Sequence, residues 1–187
     1  TLYGAYVASG SETSILTTGD FHNISFLSNT AIGGGYGISL FGLLSNLASN
    51  ILIDNNNLFD FHSNGIYLRE TNGAVISNNK LDKRTSNVTT VNAIQLAQAA
   101  NINARIFNNY ISVSQTSNGT QTFRGIYLFN GTGHRVFNNV LYNVNLTSGN
   151  FTGIEIRTGG TAPEIYFNTI SIDNPSAGSG NLYGIKE

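Results

Sequence analysis

The stretch Asn64-Gly65-Ile66-Tyr67-Leu68-Arg69-Glu70-Thr71-Asn72-Gly73-Ala74-Val75-Ile76-Ser77-Asn78-Asn79-Lys80-Leu81 holds two phrases that recur along the chain. The first is a glycine or alanine followed by alternating apolar residues. Its copies are Gly4-Ala5-Tyr6-Val7, Gly37-Ile38-Ser39-Leu40, Gly65-Ile66-Tyr67-Leu68, Ala93-Ile94-Gln95-Leu96, Gly125-Ile126-Tyr127-Leu128, Gly153-Ile154-Glu155-Ile156 and Gly184-Ile185-Lys186. These anchors are spaced by 33, 28, 28, 32, 28 and 31 residues, a loose period averaging 30. A repeat of this length marks a stacked architecture.

The second phrase is an apolar residue, two polar positions usually filled by asparagine, a free position and another apolar residue. It reads Ile76-Ser77-Asn78-Asn79-Lys80-Leu81, Ile106-Phe107-Asn108-Asn109-Tyr110-Ile111 and Val136-Phe137-Asn138-Asn139-Val140-Leu141, with variants at Ile53 to Leu58 and Ile165 to Ile170 and a degenerate copy around Asn29. One asparagine per repeat therefore occupies one structural position: Asn29, Asn56, Asn79, Asn109, Asn139 and Asn168. Asparagine tolerates the left-handed conformation of a sharp bend, and its amide can bond the same amide in the layers above and below. The expectation is a ladder at a corner, with both properties used by the same residue.

Alternation within the anchor phrase sends Ile66 and Leu68 to one side and Tyr67 and Arg69 to the other, which is strand periodicity. No stretch sustains apolar residues at helical spacing. Each repeat holds about three short strands: one on the anchor, one entering the asparagine corner and one leaving it. A single such coil cannot bury its own apolar side chains, whereas stacked coils bury them in a continuous column. The fold expected is an all-β parallel β-helix of about six coils, one domain over residues 1–187, roughly 30 Å long at the usual strand spacing. Right-handed coiling is the default for parallel strands joined by crossovers.

Charged residues make up 10% of the chain, apolar residues 40%, and the net charge is -1. No basic run offers an electrostatic footprint for nucleic acid, and no apolar run has the length of a membrane span. Cysteine is absent, which removes disulfides and thiolate metal sites. Asp54-Asn55-Asn56-Asn57 lacks the spacing of a calcium loop, so no metal or cofactor is expected. A composition without Cys, Met or Trp and rich in Asn, Thr and Gly fits a secreted or cell-surface protein. Leu2-Tyr3-Gly4 and Leu182-Tyr183-Gly184 are equivalent positions, so the segment opens and closes in the same phase. That phase leads to the expectation of an internal stretch of a longer solenoid, or a unit that stacks end to end with copies of itself.

Together the Gly-Ile-x-Leu phrase, the Asn-Asn phrase and the ladder resemble the right-handed parallel β-helix repeat proteins of the pectate-lyase-like superfamily. The resemblance covers almost the whole chain. It implies a fold shared by polysaccharide lyases and hydrolases, phage tailspikes and long secreted bacterial surface proteins, and the low charge is closest in character to the last. Two functions follow: a structural or adhesive rod that binds a glycan or other cell-surface ligand, or the scaffold fragment of a polysaccharide lyase or glycoside hydrolase.

Longer connections flank the outer face of the anchor strands, after the anchor in the first two coils and before the next anchor in the later ones, in Lys83 to Asn92, Ser114 to Arg124, Asn145 to Thr152 and Asn174 to Tyr183. That face is the first candidate site, because function is carried on loops and exposed faces. Tyr67 and Tyr127 lie two coils apart, about 10 Å, with Arg69, Gln95, Phe129, Glu155 and Arg157 as neighbours, an arrangement that can hold a glycan. The competing explanation is a ladder of outward aromatics that merely favour strands. Catalysis lacks support: the ten acidic residues are scattered, no repeat places two aspartates on the anchor face, and Gly133-His134-Arg135 breaks the Gly-His-Gly motif of polygalacturonases. The Asn-x-Ser/Thr sequons at Asn23, Asn87, Asn118, Asn130, Asn145 and Asn150 arise by chance in such a composition.

Overall fold

A computed structural model describes residues 21–85, 89–97, 100–115, 122–146, 148–157, 162–172 and 180–187. The Gly4 repeat, the sequons at Asn87 and Asn118 and parts of the four long connections lie outside the described residues. Those residues form a solenoid of about five turns with three parallel sheets and no helix.

The anchor sheet stacks Tyr36–Phe41, Asn64–Arg69, Val91–Ala97, Thr122–Phe129, Asn150–Arg157 and Leu182–Lys186. The entry sheet stacks His22–Leu27, Ala48–Asp54, Val75–Ser77, Arg105–Phe107, Arg135–Phe137 and Glu164–Tyr166, with Thr71–Asn72 beside the second. The exit sheet stacks Thr30–Ile32, Asn57–Phe59, Lys80–Lys83, Tyr110–Gln115, Val140–Leu146 and Thr169–Ile170. Equivalent residues stand above one another: Ile38, Ile66, Ile94, Ile126 and Ile154 form one inward column, and Leu40, Leu68, Leu96 and Leu128 form the next. All nine are buried. Each such side chain contributes roughly 1.5–3 kcal/mol by leaving water, a gain that exists only when a neighbouring coil covers it.

Between entry and exit strands the chain turns on two residues with separate duties. The first takes the left-handed conformation: Ser28, Asn55, Asn78, Asn108, Asn138 and Phe167 have φ of 54°, 57°, 54°, 56°, 55° and 55°. The second is the ladder asparagine. The expectation that one residue does both is therefore corrected. Bending the chain requires a residue that tolerates positive φ and can face water, whereas bonding to the next coil requires an amide held inside. Phe167, 81% exposed, shows that position in the turn outweighs side-chain preference there.

Asn29, Asn56, Asn79, Asn109 and Asn139 each donate their backbone N–H and one Nδ2 hydrogen to Oδ1 of the next coil's asparagine, at 2.9–3.0 Å. The other Nδ2 hydrogen reaches back one coil, as from Asn79 to Ile53 O at 2.9 Å and from Asn109 to Ile76 O at 3.0 Å. Asn79, Asn109 and Asn139 are 0% exposed, yet each amide is fully used.

The anchor glycine faces inward at close quarters. A Cβ on Gly125 would stand 2.3 Å from Leu141 Cδ2 and 2.6 Å from the Gly153 carbonyl oxygen. Anchor and following residue, such as Ala93 and Ile94, are both buried, and the ladder of pairs runs from Asn92↔Arg124 to Ile94↔Ile126 across this local irregularity. The residue before each anchor is thereby turned outward.

Lys83 is the exception in the core. It continues the exit-sheet column toward Val113 and Val144, is 2% exposed, and its Nζ donates to Thr85 Oγ1 at 2.6 Å. Burial pushes the ammonium below the ordinary lysine value of 10.5, and the Asp60 carboxylate only partly offsets this.

Two predictions follow from these positions. Asn109→Ala leaves the Asn79 amides and the Ile76 carbonyl unpaired in the interior and should cost about 2–4 kcal/mol in urea unfolding, whereas Asn108→Gly, at positive φ, should change stability by less than about 1 kcal/mol. Equal effects would contradict the division of duties. Lys83→Met should stabilise the protein near neutral pH by about 1 kcal/mol or more. Because the folded pKa lies below the unfolded one, wild-type stability rises with pH through the window up to 10.5, so the advantage of Met should shrink there. A destabilised Lys83→Met protein would show that the ammonium is needed for folding.

Candidate functional site

Three outward columns run along the anchor sheet. Tyr36, Asn64, Asn92, Arg124, Thr152 and Tyr183 precede the anchors; Ser39, Tyr67, Gln95, Tyr127, Glu155 and Lys186 form the middle column; Phe41, Arg69 and Ala97 follow, with Phe129 and Arg157 continuing farther along the rod. The first column was not read from sequence. Its members lie two residues before the inward isoleucines, across the two-inward irregularity at the anchor, so strict alternation assigns them to the interior. The signal was available in the recurrence of polar or aromatic residues immediately before Gly or Ala.

At one end lies an aromatic cluster. The Tyr67 ring meets Tyr36 edge-on at 5.5 Å and Phe41 at 5.1 Å. Arg69 Nε donates to Glu70 Oε1 at 3.0 Å, and Glu70 is 5% exposed. Burial pushes the Tyr67 hydroxyl above the ordinary phenol range, so at neutral pH it is a hydrogen-bond donor as well as an acceptor.

Toward the other end the face is a connected polar array. Asn92 Nδ2 donates to Asn64 Oδ1 at 3.0 Å and to Gln95 Oε1 at 2.9 Å. Arg124 Nε donates to Glu155 Oε2 at 2.6 Å while its guanidinium lies 4.7 Å from the Tyr127 ring centroid. Arg157 sits 4.9 Å from the Phe129 centroid, and Phe129 meets Tyr127 edge-on at 6.0 Å.

Tyr127 faces outward as expected but is only 6% exposed, because Arg124 and Phe129 pack on it. The pair Tyr67 and Tyr127 does not present two open rings. Glu155 stands in register with Lys186, as its strand position implied, but its ion pair is with Arg124 of the preceding coil; Arg157 goes to Phe129. The site residues thus divide into an aromatic cluster with Arg69 and a cation-aromatic cluster, bridged by Asn92 and Gln95.

Chemically the face can donate and accept hydrogen bonds and offer ring surface at Tyr67. Glu70 and Glu155 are each held by an arginine and are three coils apart, about 14 Å of strand spacing. Paired glycosidase carboxylates stand about 5–10 Å apart with one of them free to carry a proton. Among the described residues no three His, Cys, Asp or Glu side chains gather closely enough to hold a metal ion.

The parallel coils, the buried amide ladder and the anchor columns agree with a match of the family model described as right handed beta helix region to residues 2–171. The chain belongs to this family. A right-handed β-helix places all three outward columns on one flat, stiff sheet, so the two clusters keep a fixed separation. No curated protein and no solved structure gives a significant match. No helix among the described residues is long and apolar enough to cross a membrane.

The Arg124–Glu155 contact makes a measurable contribution if it organises the face. Side-chain exposures of 22% and 12% leave it weakly screened. Glu155→Ala should cost about 1–3 kcal/mol by stranding the guanidinium, with Glu155→Gln costing less because one hydrogen bond survives. Unfolding followed by circular dichroism checks this; an Ala variant as stable as wild type would reduce the contact to surface decoration.

Proposed function

We propose that this chain is a structural or adhesive rod of a secreted or cell-surface protein, and that its anchor face binds glycans at the Tyr36, Phe41 and Tyr67 cluster with Arg69 at the rim. The observation that carries the reading is the chemistry of the face. Tyr67 and Gln95 are half-buried at its surface, the buried Asn64 and Asn92 amides hold Gln95 in place from beneath, and Glu70 and Glu155 are each already neutralised by an arginine. Neutral sugars are recognised by such amide and hydroxyl partners together with ring faces, and a preformed surface lowers the cost of ordering. Stacked coils supply the stiffness a spacer needs, since each coil is fixed by its neighbours. Tyr67 itself is half-buried, so part of its ring and its hydroxyl remain reachable from solvent.

A glycan array probed with the intact chain tests this reading. Binding to neutral glycans should fall at least tenfold in Tyr67→Ala and be unchanged in Tyr110→Ala, an exposed tyrosine on the exit sheet. No bound glycan, or equal loss in both variants, would overturn the assignment. Appearance of shortened oligosaccharides during incubation would replace the rod by a polysaccharide-cleaving scaffold.

A further inference from the structure

Where the first two described coils meet on the outer side of the entry sheet, His22 and Ser49 stand in register on successive strands. Ser49 Oγ and His22 Nδ1 lie 2.7 Å apart, and the Asn46 side-chain amide approaches the other ring nitrogen, Nε2, at 3.4 Å. A hydroxyl, an imidazole and an amide are thus joined in a line. Asn72 continues the column of His22 and Ser49 on the next coil.

Both strands are bent in a way that puts these groups outside. Ala48 and Ile51 are both buried although three residues apart, which strict alternation does not allow. Asn50, with φ of 53°, takes up the odd residue, and Asn23, with φ of 57°, does the same after His22. Asn50 Nδ2 donates to Asn23 Oδ1 at 2.9 Å, so the two bends are tied to each other. His22 is consequently exposed and Ser49 half-buried. The two ring nitrogens have linked roles. Nδ1 takes the Ser49 hydrogen only when Nε2 carries the ring proton, and the Asn46 amide then turns Oδ1 toward Nε2. A nucleophile within hydrogen-bond reach of a base that is itself held by a third group is the arrangement that activates a hydroxyl.

We propose that Ser49 is a nucleophile for acyl transfer from carboxylic esters, with His22 as its general base, Asn46 as the positioning residue for the imidazole and Asn72 as the donor to the oxyanion. Ser49 Oγ bonds to the carbonyl carbon while its proton passes to His22 Nδ1 and the carbonyl electron pair moves onto oxygen. The Ser49 N–H is committed to Phe21 O at 3.2 Å, so that charge is met by a side chain. Asn72 stands about 4.8 Å along the rod. Its Oδ1 accepts from Asn103 Nδ2 at 3.3 Å, and its own Nδ2 hydrogens are unspent among the described residues. Collapse of the tetrahedral carbon breaks its bond to the leaving alcohol, which takes the proton from Nδ1. Water then repeats the sequence and releases the acid. Leu44, 73% exposed on the turn closed by the Leu43 and Asn46 bridge, offers surface to an aliphatic acyl chain. This chemistry uses none of the anchor-face residues.

The intact chain incubated with p-nitrophenyl butyrate, and separately with an alkyl fluorophosphonate, tests the proposal through nitrophenolate release and mass spectrometry of the digested protein. One acyl or phosphonyl group per chain should be found on Ser49. Ser49→Ala should remove the label, His22→Gln should slow both reactions about a hundredfold, and Asn72→Ala should slow butyrate acylation about tenfold or more. Asn46→Ala should lower kcat and leave KM unchanged, as a residue that orients the base requires. Ser25→Ala, at an exposed serine on the strand of His22, and Tyr67→Ala should react as wild type. Label absent from Ser49, label spread over several serines, or reaction undiminished in His22→Gln would each overturn the proposal, and equal rates with p-nitrophenyl acetate would contradict the part given to Leu44. Unfolding of Ser49→Ala and His22→Gln followed by circular dichroism separates lost reaction from lost folding.

Discussion

At the asparagine corner, each described coil from Asn29 to Asn168 is tied to the next through one shared atom, the Oδ1 of the ladder asparagine. It receives two hydrogens from the coil before, and its Nδ2 returns one to a carbonyl of that same coil. A buried amide left half-satisfied costs about 1–3 kcal/mol, so the corner tolerates neither a shift along the rod nor a slip in register. The ladder asparagines are separated by 27, 23, 30, 30 and 29 residues in sequence, yet the hydrogen bonds differ by no more than 0.1 Å. Variation in coil length is thus pushed to the other corners, where connections can lengthen without moving the strands.

This fixed point explains why the three sheets behave differently. Entry and exit strands keep their register in the residues next to the ladder, as in Ile76, Ile106 and Val136 or Leu81, Ile111 and Leu141, and the exit sheet shifts register only farther on, between Ser112 and Val113. The anchor strands, farthest from it, run to eight residues and carry the irregularity that turns Asn64, Asn92 and Arg124 outward. The outward face is consequently richest in functional groups where the ladder constrains it least. Its charges are spent on internal pairing, Arg69 with Glu70 and Arg124 with Glu155, which leaves a hydrogen-bonding surface instead of an acid-base one.

Fold and ladder were readable in the sequence because both depend on a periodic requirement. Inward Ile and Leu and a fully bonded corner amide recur once per coil, and Asn29, Asn56, Asn79, Asn109, Asn139 and Asn168 stand where the phrase places them. Single-position events were harder to read. Strand alternation gives the direction of Tyr127 but not that Arg124 lies over it, since that depends on a residue three positions earlier at a bulge. Strand register sets Glu155 beside Lys186 but does not give its ion-pair partner, because a long arginine, Arg124, reaches it from the coil before. Lys83 looks like the start of a polar connection, and only the continuation of the exit strand carries it inside. The left-handed role passed to Asn78 and Asn108 because two adjacent asparagines cannot be told apart by type.

If the amide ladder is what makes separate coils one cooperative body, its backbone amides should be among the last to open. Native-state hydrogen exchange resolved by residue measures this directly. The account predicts that the N–H groups of Asn56, Asn79, Asn109 and Asn139 exchange with one common, near-global opening free energy, well above that of the exposed turn residues Asn55, Asn78, Asn108 and Asn138. Exchange of the ladder amides coil by coil, at rates close to those of the neighbouring turn residues, would contradict it and return the source of cohesion to the apolar columns alone.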